Sequence, residues 1–137
     1  TINGVKFYND SKGTNPDASI KAIEAVKPPI ILIAGGRDKG TPFDDFIKAF
    51  DGRVKAMVLL GEAKEKIKAT ALKYGFEEIY IVESMKEAVN KSFELAKEND
   101  SVLLSPACTS WDMYKSYEAR GKDFKKAVYS IKEEKNV

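Results

Sequence analysis

Short apolar runs alternate along this chain with longer stretches in which apolar residues recur at helical spacing. Residues 30–34 form a continuous apolar run that is β-branched at three positions, which is typical of a strand buried on both faces of a parallel sheet. Residues 17–26 repeat apolar positions at a helical period, and two prolines follow them and end the helix. The same reasoning predicts strands around residues 5–7, 30–34, 54–60, 79–82 and 101–105, and helices over 17–26, 43–50, 62–74, 85–97, 112–118 and 122–132.

This alternation of strands and helices continues to the end of the 137-residue chain, a length that suits a single hydrophobic core. No internal repeat, low-complexity segment or linker interrupts it. Strands that are separated by helices pair in parallel, with right-handed crossovers. We therefore predict one doubly wound α/β domain over residues 1–137, with a mainly parallel sheet.

Three local signals mark helix ends. Asn15 or Asp17 is expected to cap the first helix, with Pro16 tolerated in its first turn. Ser84, followed three residues later by a glutamate, is a capping-box signature. Gly75 is expected to end the third helix in the left-handed conformation.

Composition excludes several classes of function. The 23 basic and 21 acidic residues nearly balance, so nothing favours binding to nucleic acid or to an anionic membrane. The longest apolar runs, at 30–34 and 57–60, are too short to cross a bilayer. The first residues lack a secretory signal pattern, and the single cysteine, Cys108, allows no internal disulfide. These features predict a cytoplasmic protein.

The chain contains no histidine. This excludes the commonest general base, the histidine-assisted serine and cysteine nucleophiles, and the usual zinc sites. Any catalysis must use Asp, Glu, Lys, backbone dipoles, or a metal ion held by oxygen ligands.

Three of the loops that follow predicted strands carry chemically useful side chains. We define the first loop as residues 9–15, the second loop as residues 35–40 and the third loop as residues 105–111. In a parallel sheet these loops leave the same edge, where ligands bind in open α/β folds. That edge suits a small dianionic ligand. The loops together supply cations (Lys12, Arg37, Lys39), hydroxyls (Thr14, Thr109, Ser110) and acids (Asp10, Asp38).

Taken singly, each loop has a simpler interpretation. The polar residues of the first loop are equally consistent with turn and capping bonds. The second loop, Gly-Gly-Arg-Asp-Lys-Gly, is neither a Walker A sequence nor a dinucleotide fingerprint. Cys108 has no histidine partner and is better explained as a small buried apolar residue than as a nucleophile.

Taken together, the loops resemble one family. The motifs Asn-Asp-Ser-Lys-Gly-Thr-Asn at 9–15, Gly-Gly-Arg-Asp-Lys-Gly at 35–40 and Leu-Leu-Ser-Pro-Ala-Cys-Thr-Ser at 103–110 occur in that order, followed by Asp112, Tyr-Glu-Ala-Arg-Gly at 117–121 and Phe124. This ordered set resembles the C-terminal domain of the Mur ligases, most closely the branch that adds D-glutamate. The resemblance covers nearly the whole chain.

The resemblance implies a cytoplasmic enzyme of peptidoglycan synthesis that joins D-glutamate to UDP-N-acetylmuramoyl-L-alanine. ATP and Mg²⁺ would serve this amide-forming reaction, which passes through an acyl phosphate and a tetrahedral intermediate. The family has three domains, of which the third is Rossmann-like, brings the amino acid and closes over ATP. This chain resembles the third domain only. The UDP-binding domain and the ATP-binding domain, with its magnesium ligands, would lie outside it, so the chain alone is expected to be inactive.

The resemblance also implies roles for individual residues. Asp10 and Lys12 would act at the nucleotide phosphates or the reacting centre, as the catalytic contribution of this domain. Either the backbone at Arg37 or the side chain of Asp38 would meet ATP, and no metal ligand is expected. Around D-glutamate, Lys39 would pair with a carboxylate and hydroxyls would donate, with a backbone contribution from Trp111; the residues expected there are Thr14, Lys39, Ser110, Trp111 and Tyr117.

Two alternatives remain at this stage. The chain could be the equivalent domain of a sister Mur ligase or of a folylpolyglutamate synthase. It could also be a free-standing Rossmann-like module that binds a nucleotide or another anion without catalysis, since it has neither a P-loop nor histidine.

Overall fold

The computed structural model describes residues 2–110 and 113–135. Strands and helices alternate throughout this part of the chain, as the apolar pattern predicts. The elements are β1 (Lys6–Asn9), α1 (Pro16–Ala25), β2 (Ile30–Ala34), α2 (Asp44–Lys48), β3 (Val54–Leu59), α3 (Lys64–Lys73), β4 (Ile79–Ile81), α4 (Met85–Leu95), β5 (Ser101–Leu104) and α5 (Tyr117–Lys135).

The strands form one parallel sheet in the order β1-β5-β2-β3-β4, which confirms the predicted α/β class. The last strand, β5, lies between the first two. Its Leu103 is in register with Tyr8 of β1 on one side and with Leu32 of β2 on the other. Since parallel strands point the same way, the loops that follow β1, β5 and β2 leave one edge as neighbours.

Alternate residues of the sheet enter two separate cores. In β2, Ile30 and Leu32 pack on the face covered by α1, α2 and α3, while Ile31 and Ile33 pack on the face covered by α4 and α5. Every residue of β2 is fully buried. This two-sided burial explains why β2 is a continuous apolar run instead of an alternating one.

The predicted helix ends are confirmed. Asn15, not Asp17, caps α1, because its side chain accepts a hydrogen bond from the Ala18 amide at 2.9 Å. Ser84 caps α4 by accepting from the Glu87 amide at 3.2 Å. Gly75 follows α3 with a φ of +82°. None of the helices in residues 2–110 and 113–135 combines the length and apolarity needed to cross a membrane.

The predicted pair of C-terminal helices is wrong. The amides of Met113 and Tyr114 both donate to the Ser110 carbonyl, at 3.1 and 2.7 Å, so a turn precedes the helix. Asp112 lies outside the described residues. From Tyr117 onward the structure has one continuous helix, α5.

Gly121 lies inside α5 and does not break it. A Cβ added there would be 3.0 Å from the Ser11 hydroxyl oxygen and 3.2 Å from the side-chain amide nitrogen of Asn9. The Asn9 side chain donates to the Gly121 carbonyl at 3.1 Å. The glycine therefore lets the helix approach the first loop closely.

Candidate functional site

The first and third loops are joined at the carboxyl edge of the sheet. The Asp10 amide donates to the Leu104 carbonyl at 2.8 Å. The Asp10 carboxylate accepts from the Ser105 hydroxyl at 2.7 Å, and that hydroxyl lies 2.9 Å from the hydroxyl of Ser19, which is buried in α1. These bonds turn the Asp10 carboxylate towards the base of the third loop.

The second and third loops are also joined. The Arg37 amide donates to the Thr109 carbonyl at 2.9 Å, and the Gly35 amide donates to the Pro106 carbonyl at 3.0 Å. Gly36 has a φ of +152°, and a Cβ there would overlap the Thr109 carbonyl oxygen. The three loops therefore lie side by side at one edge of the sheet.

A buried arginine lies where the loops meet. The guanidinium of Arg120 donates to the Cys108 carbonyl and to the Ser11 carbonyl, each at 2.9 Å. The residue is 3% exposed. The Ser11 hydroxyl in turn donates to the Tyr117 carbonyl at the start of α5. Arg120 thus links the first loop, the third loop and the last helix.

Reasoning from the sequence did not identify Arg120 as a functional residue. A signal was nevertheless present, because Arg120 shares helical spacing with Phe124, Ala127 and Ile131, which are buried. An arginine on the apolar stripe of a helix is seldom buried without polar partners.

Lys12 and Tyr117 line an open depression of about 440 Å³ beside the first loop. Lys122 and Lys125 of α5 add two further cations to it. A hydrogen bond to the Glu118 carboxylate, together with the charge of that carboxylate, raises the pKa of the Tyr117 phenol. A phenol has a single proton to donate, so a ligand anion would compete with the Glu118 carboxylate for the hydrogen bond from Tyr117.

The remaining predicted residues differ in exposure. The side chains of Arg37 and Lys39 are exposed, that of Thr14 is partly buried, and Ser110 is 2% exposed. Trp111 lies outside the described residues.

Asp38 stabilises the second loop itself. Its carboxylate accepts from the Gly40 amide at 2.8 Å and from the Lys66 ammonium at 3.1 Å, while the Asp38 amide donates to Glu62 at 2.8 Å. The bond from Gly40, followed by the bond from Lys66, lowers the pKa of Asp38. The carboxylate is therefore ionised across the physiological range and anchors the loop to α3.

We expect Lys66→Met to raise the pKa of Asp38 towards 3.8 without restoring it fully, because the bond from Gly40 is the larger cause and remains. Since the folded-state pKa is the lower one, ionised Asp38 stabilises the fold above its ordinary pKa. That contribution disappears as the pH falls through the lowered value. Carboxyl-carbon NMR titration measures the shift, and Lys68→Met on the same helix is the control. An unchanged Asp38 titration in Lys66→Met contradicts the assignment.

No group of three or more His, Cys, Asp or Glu side chains that could hold a metal ion occurs in residues 2–110 and 113–135. We assign no step to a metal ion held by these residues.

Comparison with known proteins agrees with this geometry. The family model described as "Mur ligase, glutamate ligase domain" matches residues 1–108. The UDP-N-acetylmuramoylalanine–D-glutamate ligase of Caldanaerobacter subterraneus subsp. tengcongensis is 62% identical over 133 residues, which are 96% of this chain and 30% of that protein. The ligase of the same name from Clostridioides difficile is 54% identical over 131 residues, 96% of this chain and 29% of that protein.

A solved structure supports the fold alone. The folylpolyglutamate synthase of Mycobacterium tuberculosis, crystallised with ADP and AMPPCP, superposes with a TM-score of 0.55 at 10% identity, over 69% of this chain and 26% of that one. The chain spans about 30% of the length of the curated relatives that it matches. Because the family model matches residues 1–108, which are most of this chain, the chain belongs to the glutamate ligase domain family of the Mur ligases.

Proposed function

We propose that this chain is the amino-acid-binding domain of a ligase that adds D-glutamate to UDP-N-acetylmuramoyl-L-alanine in peptidoglycan synthesis. One observation carries the proposal: three polar loops, far apart in sequence, are hydrogen-bonded to one another at the carboxyl edge of a parallel sheet. Relatives up to 62% identical over 96% of the chain bear the name of that ligase, which supports the choice of amino acid.

D-glutamate is a dicarboxylate, and the loops offer it a cation and several donors. In this proposal Lys39 pairs with a carboxylate, and the hydroxyls of Thr14, Ser110 and Tyr117 donate to the ligand, with the Trp111 backbone contributing. Charge-assisted bonds of this kind fix both the position and the orientation of a small anion.

Asp10 and Lys12 of the first loop are proposed to act at the nucleotide phosphates or the reacting centre. Lys12 and the lysines beside it provide cations for phosphate oxygens in the depression next to the first loop. The Arg37 backbone or Asp38 meets ATP at the second loop. ATP supplies the activation of the acceptor carboxylate, and this domain contributes positioning of the amine and charge stabilisation.

The other components are assigned to the rest of the ligase. Magnesium ligands, the P-loop and the site for the UDP moiety belong to the part of the enzyme that this chain does not span. The enzyme acts in the cytoplasm, and this domain by itself forms no product.

Substrate selectivity tests the proposal. We expect the full-length protein, supplied with UDP-N-acetylmuramoyl-L-alanine, to hydrolyse ATP in the presence of D-glutamate, and at least about 100-fold more slowly with L-glutamate or L-lysine. L-lysine lacks the second carboxylate, and L-glutamate, as the mirror image, cannot present both carboxylates and the amine to the same donors at once. Phosphate release measures the rate.

Preference for another amino acid would identify a sister ligase instead. ATP binding by this chain alone, measured by calorimetry, with no turnover by the full-length protein, would favour a free-standing nucleotide-binding module.

A further inference from the structure

We propose that Arg120 is a positioning residue for the amino-acid site, whose guanidinium holds the first and third loops at the separation that D-glutamate requires. The functional part of this inference rests on the function proposed above. The structural part, a clamp between two loops, rests on this chain alone.

The clamp uses one planar group for two carbonyls. Nη1 of Arg120 donates to the Cys108 carbonyl and Nη2 donates to the Ser11 carbonyl, each at 2.9 Å. Cys108 comes two residues before Ser110, and Ser11 comes immediately before Lys12. The guanidinium therefore fixes the backbone beside ligand residues from two different loops.

The second loop is close to the same group. A Cβ at Gly36 would lie 3.3 Å from Nη1 of Arg120 and 2.9 Å from the Cys108 Cβ. A shift of the guanidinium would therefore alter the packing of the second loop, which carries Lys39. All three loops meet at this one side chain.

The backbone that Arg120 holds is strained. Ala107 has a φ of +62°, a left-handed conformation that is unfavourable for a residue with a side chain. Such a residue persists when its neighbours fix the chain on both sides. Here the Pro106 carbonyl accepts from the Gly35 amide, and the Cys108 carbonyl accepts from Arg120.

Lysine cannot reproduce this contact. Arginine presents its terminal nitrogens in a rigid fork, whereas lysine has a single nitrogen on a flexible stem. With lysine at position 120, the chain keeps a buried cation but can hold only one of the two carbonyls well. The first and third loops should then move apart by up to about 1 Å, a displacement that is enough to weaken a preorganised site.

Arg120→Lys tests this in the full-length ligase. We expect the KM for D-glutamate to rise about tenfold, because one charged hydrogen bond that supports the site is lost. The KM for ATP should rise less, because Lys12, beside Ser11, is only one of the groups proposed to contact the nucleotide. Arg53→Lys is the matched control. The guanidinium of Arg53 also binds backbone carbonyls, those of Ile23 and Val26 at 3.0 and 2.6 Å, but it does so before β3, at the other end of the sheet. Its KM for D-glutamate should equal that of the wild type.

A second variant separates positioning from folding. We expect Arg120→Ala to raise the same KM further and ethylguanidinium to lower it again by filling the vacated site. Two outcomes overturn the positioning role. One is a variant that folds less well but has a wild-type KM for D-glutamate, and the other is a variant in which the KM values for D-glutamate and ATP rise by the same factor.

Hydrogen exchange tests the clamp without reference to the substrate. The Asp10 amide donates to the carbonyl of Leu104 at the end of β5, and the Arg37 amide donates to the carbonyl of Thr109 in the third loop. We expect both to exchange at least about tenfold faster in Arg120→Lys and to be unchanged in Arg53→Lys. Wild-type exchange at these amides overturns the clamp. Faster exchange in a protein that does not use D-glutamate instead supports the clamp and refutes the proposed function.

Discussion

Replacing Gly35 with alanine is expected to lower the free energy of unfolding by at least about 3 kcal/mol. Gly35 has a φ of +120°, a conformation that alanine rarely adopts. An added Cβ would also overlap the Leu60 carbonyl oxygen and lie 3.0 Å from its carbonyl carbon. Because both obstacles are backbone, the ends of β2 and β3 must separate to admit a methyl group.

Gly75→Ala provides the matched control. Gly75 also has a positive φ, +82°, but no atom lies within 4 Å of the position that a Cβ would occupy. The substitution there should cost only about 1–2 kcal/mol, the price of the left-handed conformation. Urea denaturation of both variants gives the comparison. A Gly35→Ala protein as stable as Gly75→Ala would contradict this, because it would mean that the ends of β2 and β3 separate at little cost in free energy.

The elements of this fold were predictable because each carries its own local signal. β2 is a run of apolar residues buried on both faces, and α4 begins at a serine that caps it. The sheet edge that gathers the loops followed from the alternation of strands and helices. These features depend on period and on nearest neighbours, both of which a sequence displays directly.

Features that depend on tertiary contact were not predictable in the same way. The sequence predicts two helices separated by residues 119–121, but the structure has one helix there, in which Gly121 allows α5 to lie against Ser11. Asp38 suggests a ligand residue, and nothing in the sequence shows that its carboxylate also accepts hydrogen bonds from Gly40 and Lys66. The Ser105 hydroxyl and the Asp10 carboxylate are hydrogen-bonded although the two residues lie 95 positions apart in the sequence. Nothing local in the sequence indicates which partner such a side chain will have.

The side chain whose loss should weaken D-glutamate binding most is Lys39. We expect Lys39→Met in the full-length ligase to raise the KM for D-glutamate about 30- to 100-fold, the loss typical of a charge-assisted hydrogen bond to a carboxylate. The KM for ATP should stay nearly constant. Lys39→Arg should retain part of the affinity, because it keeps the charge but presents it as a wider fork.

The expected size of this effect depends on how firmly the second loop is held. Lys39 is exposed in this structure, and an exposed cation alone attracts an anion only weakly. Its backbone is not free to drift, however, because the Arg37 amide binds Thr109 and the Asp38 carboxylate binds Lys66. Lys48→Met, which removes an exposed cation from α2, is the control for net charge. If both methionine variants changed the KM for D-glutamate equally, Lys39 would be contributing only general charge, and the amino-acid site would have to lie elsewhere on this edge.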